Sequence, residues 1–294
     1  MALEFKQITK ESYNEIAEIL ISSAYGRCEY TFGTLLMYSN ILKLGYCIDK
    51  GRLFIQGKGS KNNFYFSPVA KEDSEFLSAI EEIINYERAR GGKAVINAIP
   101  TEKSKLVTFA TERRLGYADY VYDIHAFSEL KGKKYHGKRN HIARFDKETS
   151  EYKFEKITPE NLGLVLDFFQ KFKQKESKDS EMFRVELEAT KTLLNNYFCA
   201  PFEGYFLSVN GQVIGFTVAE KQGEFLVVHV EKCDKDFHGV YEKIANLMTK
   251  KMIETYPDLK YLNREDDAGD EGLKKAKLSY KPLYMAEKEK LIFD

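Results

Sequence analysis

Net charge is missing from this 294-residue chain: 45 lysines and arginines meet 45 aspartates and glutamates. A polycation held on nucleic acid or an anionic membrane by its total charge is thereby excluded, and any anion binding has to come from a local patch. Cysteine is scarce. The four present, Cys28, Cys47, Cys199 and Cys233, form no CxxC pair and no cysteine–histidine cluster at zinc spacing. That points to ordinary buried thiols in a reducing compartment. No apolar run reaches the roughly 18 residues a membrane helix needs. The first residues, MALEFKQITKES, include acids and lack an apolar core, so they do not read as a secretory signal. The expectation is a cytoplasmic protein with no integral membrane segment. Its composition, 31% charged and 14% aromatic, is globular, and the length suits one large core or two ordinary ones.

What is present is a repeat. EFKQITKESYNEI (4–16) aligns with KFEKITPENLGLV (153–165) at an offset of 149, matching Phe5 to Phe154, Ile8 to Ile157, Thr9 to Thr158 and Glu11 to Glu160. Each copy reads as a short strand ending at a threonine placed to cap a helix, with Pro159 at the favoured first helical position of the second copy. In the first half a helical segment over 30–43 follows, then two strands about Asp49-Lys50-Gly51 and a third, NNFYF. An amphipathic helix over 73–90 carries Phe76, Leu77, Ile80, Ile83 and Ile84 at helical spacing. Strand KAVINAI, a helix over 102–114 and strand YADYVYDIHAF complete that half. The second half reads as helices over 159–175 and 181–197, a hairpin about Asn210-Gly211, strand EFLVVHVEK, a helix over 237–255, strand KYLNR, a helix over 269–277 and a last strand, SYKPLYMAEK. The shared order predicts an α+β fold, an α/β sandwich of two tandem domains, 1–149 and 150–294. Each would be a mixed, mostly antiparallel sheet flanked by helices, with a basic connecting segment over 131–147.

Three stretches carry candidate chemistry. KGKKYHGKRNH (131–141) packs five cations and two histidines into eleven residues. It reads either as a solvated linker helix or as an anion site. In the second case Lys134, Lys138 and Arg139 offer donors to phosphate, and His136 and Asn140 add neutral hydrogen bonds. A metal is not expected: His136 and His141, five apart, do not share a helical face. EFLVVHVEK alternates, which puts His229 and Glu231 on one side near a strand end as candidate general bases, with Tyr241 in the next helix as a candidate proton donor. A surface strand with outward polar residues is the alternative. LNREDDAGDEGLKKAKLSYKP (262–282) leaves a strand end, where ligands of open α/β sheets gather. Asn263, Arg264, Glu265 and Asp267 are followed by Asp270, a candidate helix cap, and then Lys274, Lys275, Lys277 and Tyr280. An acidic pocket beside a basic helix suits a ligand with one cationic and one anionic end; an internal salt-bridge network bracing the loop is the other reading.

The element order resembles the GNAT acyltransferase fold, and its duplication resembles the Fem-type aminoacyltransferases and the catalytic C-terminal domain of phosphatidylglycerol lysyltransferases. TFGTLLMY (31–38), KKYHGKRNHIARF (133–145) and the 262–282 segment carry the likeness to the family sharing that lysyltransferase domain, which covers nearly the whole chain. In a GNAT enzyme using acetyl-CoA, a Q/R-x-x-G-x-G/A turn holds the pyrophosphate on backbone N–H groups at a helix N-terminus. Here the corresponding segments are EKCDKDFHGVYEKI, with Gly239 alone and with Asp234 and Asp236 where phosphate would approach, and FSPVAKEDSEF, with no glycine. The Fem-type enzymes depart in the same way and use aminoacyl-tRNA. The resemblance therefore implies an acyl-group transferase with aminoacyl-tRNA as donor, no tightly bound cofactor, and an amine or hydroxyl acceptor such as a lipid head group, a peptide or a small metabolite. An acyl-CoA donor in a degenerate site, or a non-catalytic scaffold binding a nucleotide, RNA or protein partner, are the alternatives. On the first reading Glu231 or His229 is the base. Lys134, Lys138, Arg139 and Lys277 contact phosphate, Asn263, Arg264, Glu265 and Asp267 orient the amino acid, and His136, Asn140, Lys275 and Tyr280 complete the binding set. Asn97 aligns with Asn263 but lacks the segment that follows it, so the second half is the expected catalytic one. The oligomeric state is left open.

Overall fold

The computed structural model describes residues 3–23, 25–59, 62–149, 151–175 and 180–294. The first two residues of the N-terminal segment and Ser150 at the expected domain junction lie outside these. The first half runs β1 (Lys6–Gln7), α1 (Tyr13–Ser23), α2 (Phe32–Tyr38), β2 (Gly45–Asp49), β3 (Arg52–Lys58), β4 (Asn63–Phe66), α3 (Asp73–Arg88), β5 (Ala94–Pro100), α4 (Thr101–Ser104) and β6 (Glu112–Leu115). Next come β7 (Asp119–Asp123), α5 (Ile124–Glu129) and α6 (His136–Glu148). The second half continues with β8 (Tyr152–Lys156), α7 (Leu162–Lys175), α8 (Glu181–Asn195), β9 (Glu203–Val209), β10 (Gln212–Gln222) and β11 (Phe225–Cys233). It closes with α9 (Val240–Thr255), β12 (Tyr261–Asn263), α10 (Glu271–Leu278), β13 (Tyr284–Ala286) and β14 (Lys288–Phe293).

The repeat is present in both halves: strand, two helices, three antiparallel strands, helix, then a strand parallel to the last of the three. The fold is α+β, with two tandem copies of one element order. Thr9 and Thr158 stand at the expected positions: Thr9 is the N-cap residue of a capping box with Ser12, its N–H donating to Ser12 Oγ at 3.0 Å, and Thr158 N–H donates to Asn161 Oδ1 at 2.7 Å. Ser12 and Asn161 are themselves 149 residues apart, so the repeat conserves the bond while changing the acceptor. Pro159 lies in the turn before α7 rather than in the helix.

Two seven-stranded sheets form, ordered β1-β2-β3-β4-β5-β14-β6 and β13-β7-β12-β11-β10-β9-β8. Each therefore takes one strand from the far end of the other half. The helix expected over 102–114 is only the four-residue α4. Residues Glu112–Leu115 form β6 instead, because β14 supplies a hydrogen-bonding partner for them, pairing Ile292 with Glu112 and Glu289 with Leu115. Likewise YADYVYDIHAF is a strand only as far as Asp123, whose carboxylate accepts from Ala126 N–H at 2.8 Å and starts α5. One compact unit comprises Met1–Asp119, Lys191–Ala200 and Met285–Asp294, and the other Tyr120–Thr190 and Pro201–Tyr284.

In the first unit the apolar stripe of α3 buries Phe76, Ile80 and Ile83 against Tyr65, Ile96 and Leu291. Full burial of each such side chain is worth roughly 1.5–3 kcal/mol. In the second unit one sheet face packs Leu207, Ile214 and Cys233 against Phe145 of α6 and Val240 and Ile244 of α9. On the opposite face Phe216 meets Phe168 and Phe169 of α7 edge-on. Gly239, at the N-cap of α9, has φ +77°, and a Cβ there would lie 2.1 Å from the carbonyl oxygen of His141. Only glycine lets α6 come this close to the start of α9, and that contact sets α6 beside the first turn of α9. Among the described residues no helix is long and apolar enough to cross a membrane.

Candidate active site

Parallel pairing of β11 with β12 covers only Phe225–Val227 against Tyr261–Asn263, after which β12 ends and β11 runs on to Cys233. The strands thus part at their C-terminal ends. Against β10, Val218 faces Val230 but Ala219 faces Val228, so His229 is the extra residue of a β-bulge. The bulge breaks the simple alternation expected for EFLVVHVEK.

Two charged groups lie beyond it. Glu231 Oε1 accepts from Arg264 Nη2 at 2.7 Å, with the side chains 10% and 15% exposed. Burial pushes the Glu231 pKa up from the ordinary carboxylate range, the neighbouring Glu242 adds to this, and Arg264, Lys277 and Lys138 oppose it. The Arg264 guanidinium lies over the rings of Tyr280 and Phe127, at 5.3 and 5.7 Å, and those two rings stack at 4.5 Å. Lys138, from α6, sits 4.0 Å over the Tyr280 ring and pairs with Glu242 of α9 at 3.1 Å. Acids and cations therefore alternate about one buried aromatic pair.

The second group is centred on His229. Its Nδ1 lies 2.9 Å from Glu265 Oε1 and its Nε2 3.3 Å from Glu220 Oε2. Burial disfavours the charged ring, but the hydrogen bonds to Glu220 and Glu265 outweigh it and raise the pKa to about 9. At neutral pH His229 is an imidazolium clamped between two carboxylates, with no lone pair to offer.

The loop after β12 is held from several sides. Asn263 is fully buried and its Oδ1 accepts from Glu265 N–H at 2.6 Å. Glu265 and Ala268 take left-handed backbone, φ +56° and +47°, a strain that persists only when the surroundings hold it. Lys277 provides much of that hold. It is buried, and its ammonium donates to the carbonyl oxygens of Arg264 at 2.6 Å and Glu265 at 3.3 Å, and to that of Asp266. Tyr120 donates to Asp267 Oδ2 at 2.5 Å, and Asp270 caps α10 through Leu273 N–H at 2.8 Å.

Of the residues singled out in the sequence, Glu231, Arg264, Lys138 and Tyr280 come together, as do His229 and Glu265, while Asn263, Asp267 and Lys277 brace the loop. The others have different surroundings. Lys134 is exposed over the ring of Tyr135, Arg139 Nη1 donates to the carbonyls of Leu130 and Gly132 at 2.5 and 2.8 Å, and Asn140 meets His136 at 3.2 Å. Lys275 is exposed, and Tyr241 packs at the edge of the α6–α9 core. Much of the basic segment is thus consumed by the fold. Asp234 and Asp236, standing where a pyrophosphate would approach, are both held by Lys175 at 2.7 and 2.5 Å.

Sequence reasoning missed Glu220 and Glu242, two acids among 45 with no local mark except Glu242's place in the first turn of a helix. It also missed a buried group in the first unit. Lys288 Nζ lies 2.6 Å from Asp119 Oδ1 and 2.7 Å from Glu29 Oε1, and Cys28 N–H donates to Asp119 Oδ2 at 2.8 Å. Ligand atoms of Cys28, Glu29 and Asp119 converge within 4.8 Å. The Lys288 ammonium already stands on both carboxylates, and so fills the place a cation would take.

Residues 22–288 match the family model described as phosphatidylglycerol lysyltransferase, C-terminal. A conserved protein of unknown function from Bacteroides thetaiotaomicron VPI-5482 has a similar structure, with TM-score 0.89 and 26% identity over 99% of this chain and 100% of that one. L-PGS from Bacillus licheniformis is similar in fold, with TM-score 0.70 and 14% identity over 95% of this chain and 91% of that one. An uncharacterized protein from Mycoplasmoides gallisepticum is 25% identical over 173 residues, 58% of this chain and 54% of that protein, so the match spans about half the length of this curated relative.

Proposed function

Because the chain belongs to the phosphatidylglycerol lysyltransferase C-terminal family, we propose that it is an acyl-group transferase moving an aminoacyl group from aminoacyl-tRNA to an amine or hydroxyl acceptor. The carrying observation is the buried Glu231–Arg264 pair where β11 and β12 part. A carboxylate whose basicity is raised by burial suits proton abstraction near neutral pH. In the step proposed, the acceptor N–H or O–H gives its proton to Glu231 as the heteroatom attacks the ester carbonyl carbon. Arg264 offers N–H donors to the oxyanion that develops. The carbonyl re-forms, the bond to the ribose oxygen of the tRNA breaks, and the proton passes from Glu231 to that oxygen. His229, already protonated, serves as a fixed cation that holds Glu265 and Glu220, which leaves Glu231 as the base. Lys134 and Lys275, both exposed, are the candidates for tRNA phosphate, since Lys138, Arg139 and Lys277 are engaged within the protein. The donor implies a cytoplasmic site of action, and the acceptor is a lipid head group, a peptide or a small metabolite.

An acyl-CoA donor is the second reading. The Lys175 contacts to Asp234 and Asp236 disfavour it, because a pyrophosphate at the start of α9 would have to displace them. The test is transfer of label from a mixed pool of radiolabelled aminoacyl-tRNAs into lipid and small-molecule extracts, with and without RNase, beside a set of acyl-CoAs. RNase-sensitive product lost in Glu231→Gln is expected. Product from acyl-CoA alone would overturn the tRNA donor, and no product from either would favour a binding scaffold.

A further inference from the structure

Thr217 lies in the middle of β10, fully buried, and its hydroxyl has no hydrogen-bond partner among the described residues. Buried hydroxyls are nearly always paired, and an unpaired one asks for an explanation. The strand register supplies a candidate partner. Thr217 stands directly opposite Glu231 on β11, and directly paired residues share a sheet face with Cβ atoms about 4.5–5.5 Å apart. The face is the one covered by α6 and α9. Cys233, two residues beyond Glu231, packs there against Phe145 and Val240, whereas Phe216, next to Thr217, meets α7 on the other side. Lys138 and Glu242 come from the same two helices, α6 and α9. Glu231 is nonetheless turned away, its Oε1 bound to Arg264 at 2.7 Å.

We propose that Thr217 is a positioning residue for Glu231, taking its carboxylate by a hydroxyl hydrogen bond when substrate draws Arg264 off it. The role in catalysis rests on the aminoacyl-transfer reading; the exchange of partners does not. A threonine hydroxyl hydrogen rotates about its C–O bond to suit its acceptor, so Thr217 can donate to a carboxylate turned toward it without backbone movement. A guanidinium holds a carboxylate in its charged form more strongly than a neutral hydroxyl does. Passing from Arg264 to Thr217 therefore restores basicity to Glu231 while still satisfying one of its oxygens. The other groups that act on Glu231 are Glu242 from α9, Lys138 from α6 and Lys277 from α10, and none of them moves in this exchange.

The experiment compares Thr217→Val and Thr217→Ser in the wild-type chain and in Arg264→Met, with Arg264→Gln as a second background should the first not fold. Carboxyl carbon NMR follows the titration of Glu231, assigned by its loss in Glu231→Gln, and thermal unfolding follows stability. With Arg264 present, Thr217→Val is expected to leave the Glu231 titration in place and not to lower Tm, since it deletes only an unpaired hydroxyl. With Arg264 replaced, Thr217→Val is expected to raise the Glu231 pKa and lower Tm, and Thr217→Ser to behave as wild type. The same effect of Thr217→Val in both backgrounds, or failure of serine to substitute, would overturn the proposal. In transfer assays the acid limb of the kcat pH profile, which reports the substrate complex, is expected to move to higher pH in Thr217→Val, with the kcat/KM limb in place and serine restoring the kcat limb; an unmoved kcat limb would overturn the catalytic role. If the wild-type chain transfers nothing, that failure belongs to the aminoacyl-transfer reading, and the NMR comparison still decides the exchange.

Discussion

His229 should make the stability of this protein fall across neutral to mildly alkaline pH. The ring is wholly inaccessible to solvent and its two nitrogens face Glu265 at 2.9 Å and Glu220 at 3.3 Å. Its pKa rises from an ordinary 6.5 to about 9 in the folded chain. At 1.36 kcal/mol per pH unit this separation is worth about 3 kcal/mol. Because the folded value is the higher one, the contribution is complete below 6.5, shrinks as pH rises through the window, and is gone above about 9. Other groups titrate in the same range, so the quantity to measure is a difference. Urea unfolding of wild type and His229→Gln, each at several pH values spanning the window, isolates the histidine. The wild type should lose about 3 kcal/mol relative to the variant from one end to the other. Ring-carbon NMR should show one histidine, absent in His229→Gln, titrating near 9. A flat difference, or a ring titrating near 6.5, would refute both the imidazolium and the argument that His229 has no lone pair for catalysis.

Lys288→Met should destabilise the first unit by about 3–5 kcal/mol, because Asp119 and Glu29 would remain buried without their cation. The loss should shrink at low pH as the acids take up protons, which denaturation at two pH values would show. Gly239→Ala should cost about 1–3 kcal/mol, since the added methyl meets the His141 carbonyl in a left-handed backbone; a melting temperature equal to wild type would contradict the close approach of α6 and α9. Lys277→Met should release the carbonyls of Arg264, Glu265 and Asp266. Faster amide exchange confined to 263–270 is expected, with transfer reduced while the far-UV spectrum is kept; unchanged exchange would show that the loop does not depend on Lys277.

Features with a local cause are legible in the amino-acid pattern alone. The α3 stripe of Phe76, Ile80 and Ile83 is readable because a 3.6-residue period depends only on neighbours in the chain. The repeat is visible for the same reason, down to the threonines at two helix starts, although which atoms close the caps is not. The density of charge marks the segment from Asn263 to Tyr280 as a site, and Arg264 and Tyr280 do meet Glu231 and Lys138 there. The basic segment misleads, because a lysine or arginine is written identically whether it faces solvent or, as with Arg139, ties down two carbonyls.

The sequence by itself determined the order of the elements, the duplication, and the stretches from which the charged site is drawn, since each is written in short-range pattern. The tertiary structure alone decided which charges are consumed. Whether residues 112–115 are helix or strand depended on a partner strand more than 170 residues away, β14. The bulge at His229 exists only in relation to the register of β10. The protonation of His229 follows from Glu220 and Glu265 arriving from two other segments, because a buried charge is set by what closes around it and not by its place in the chain.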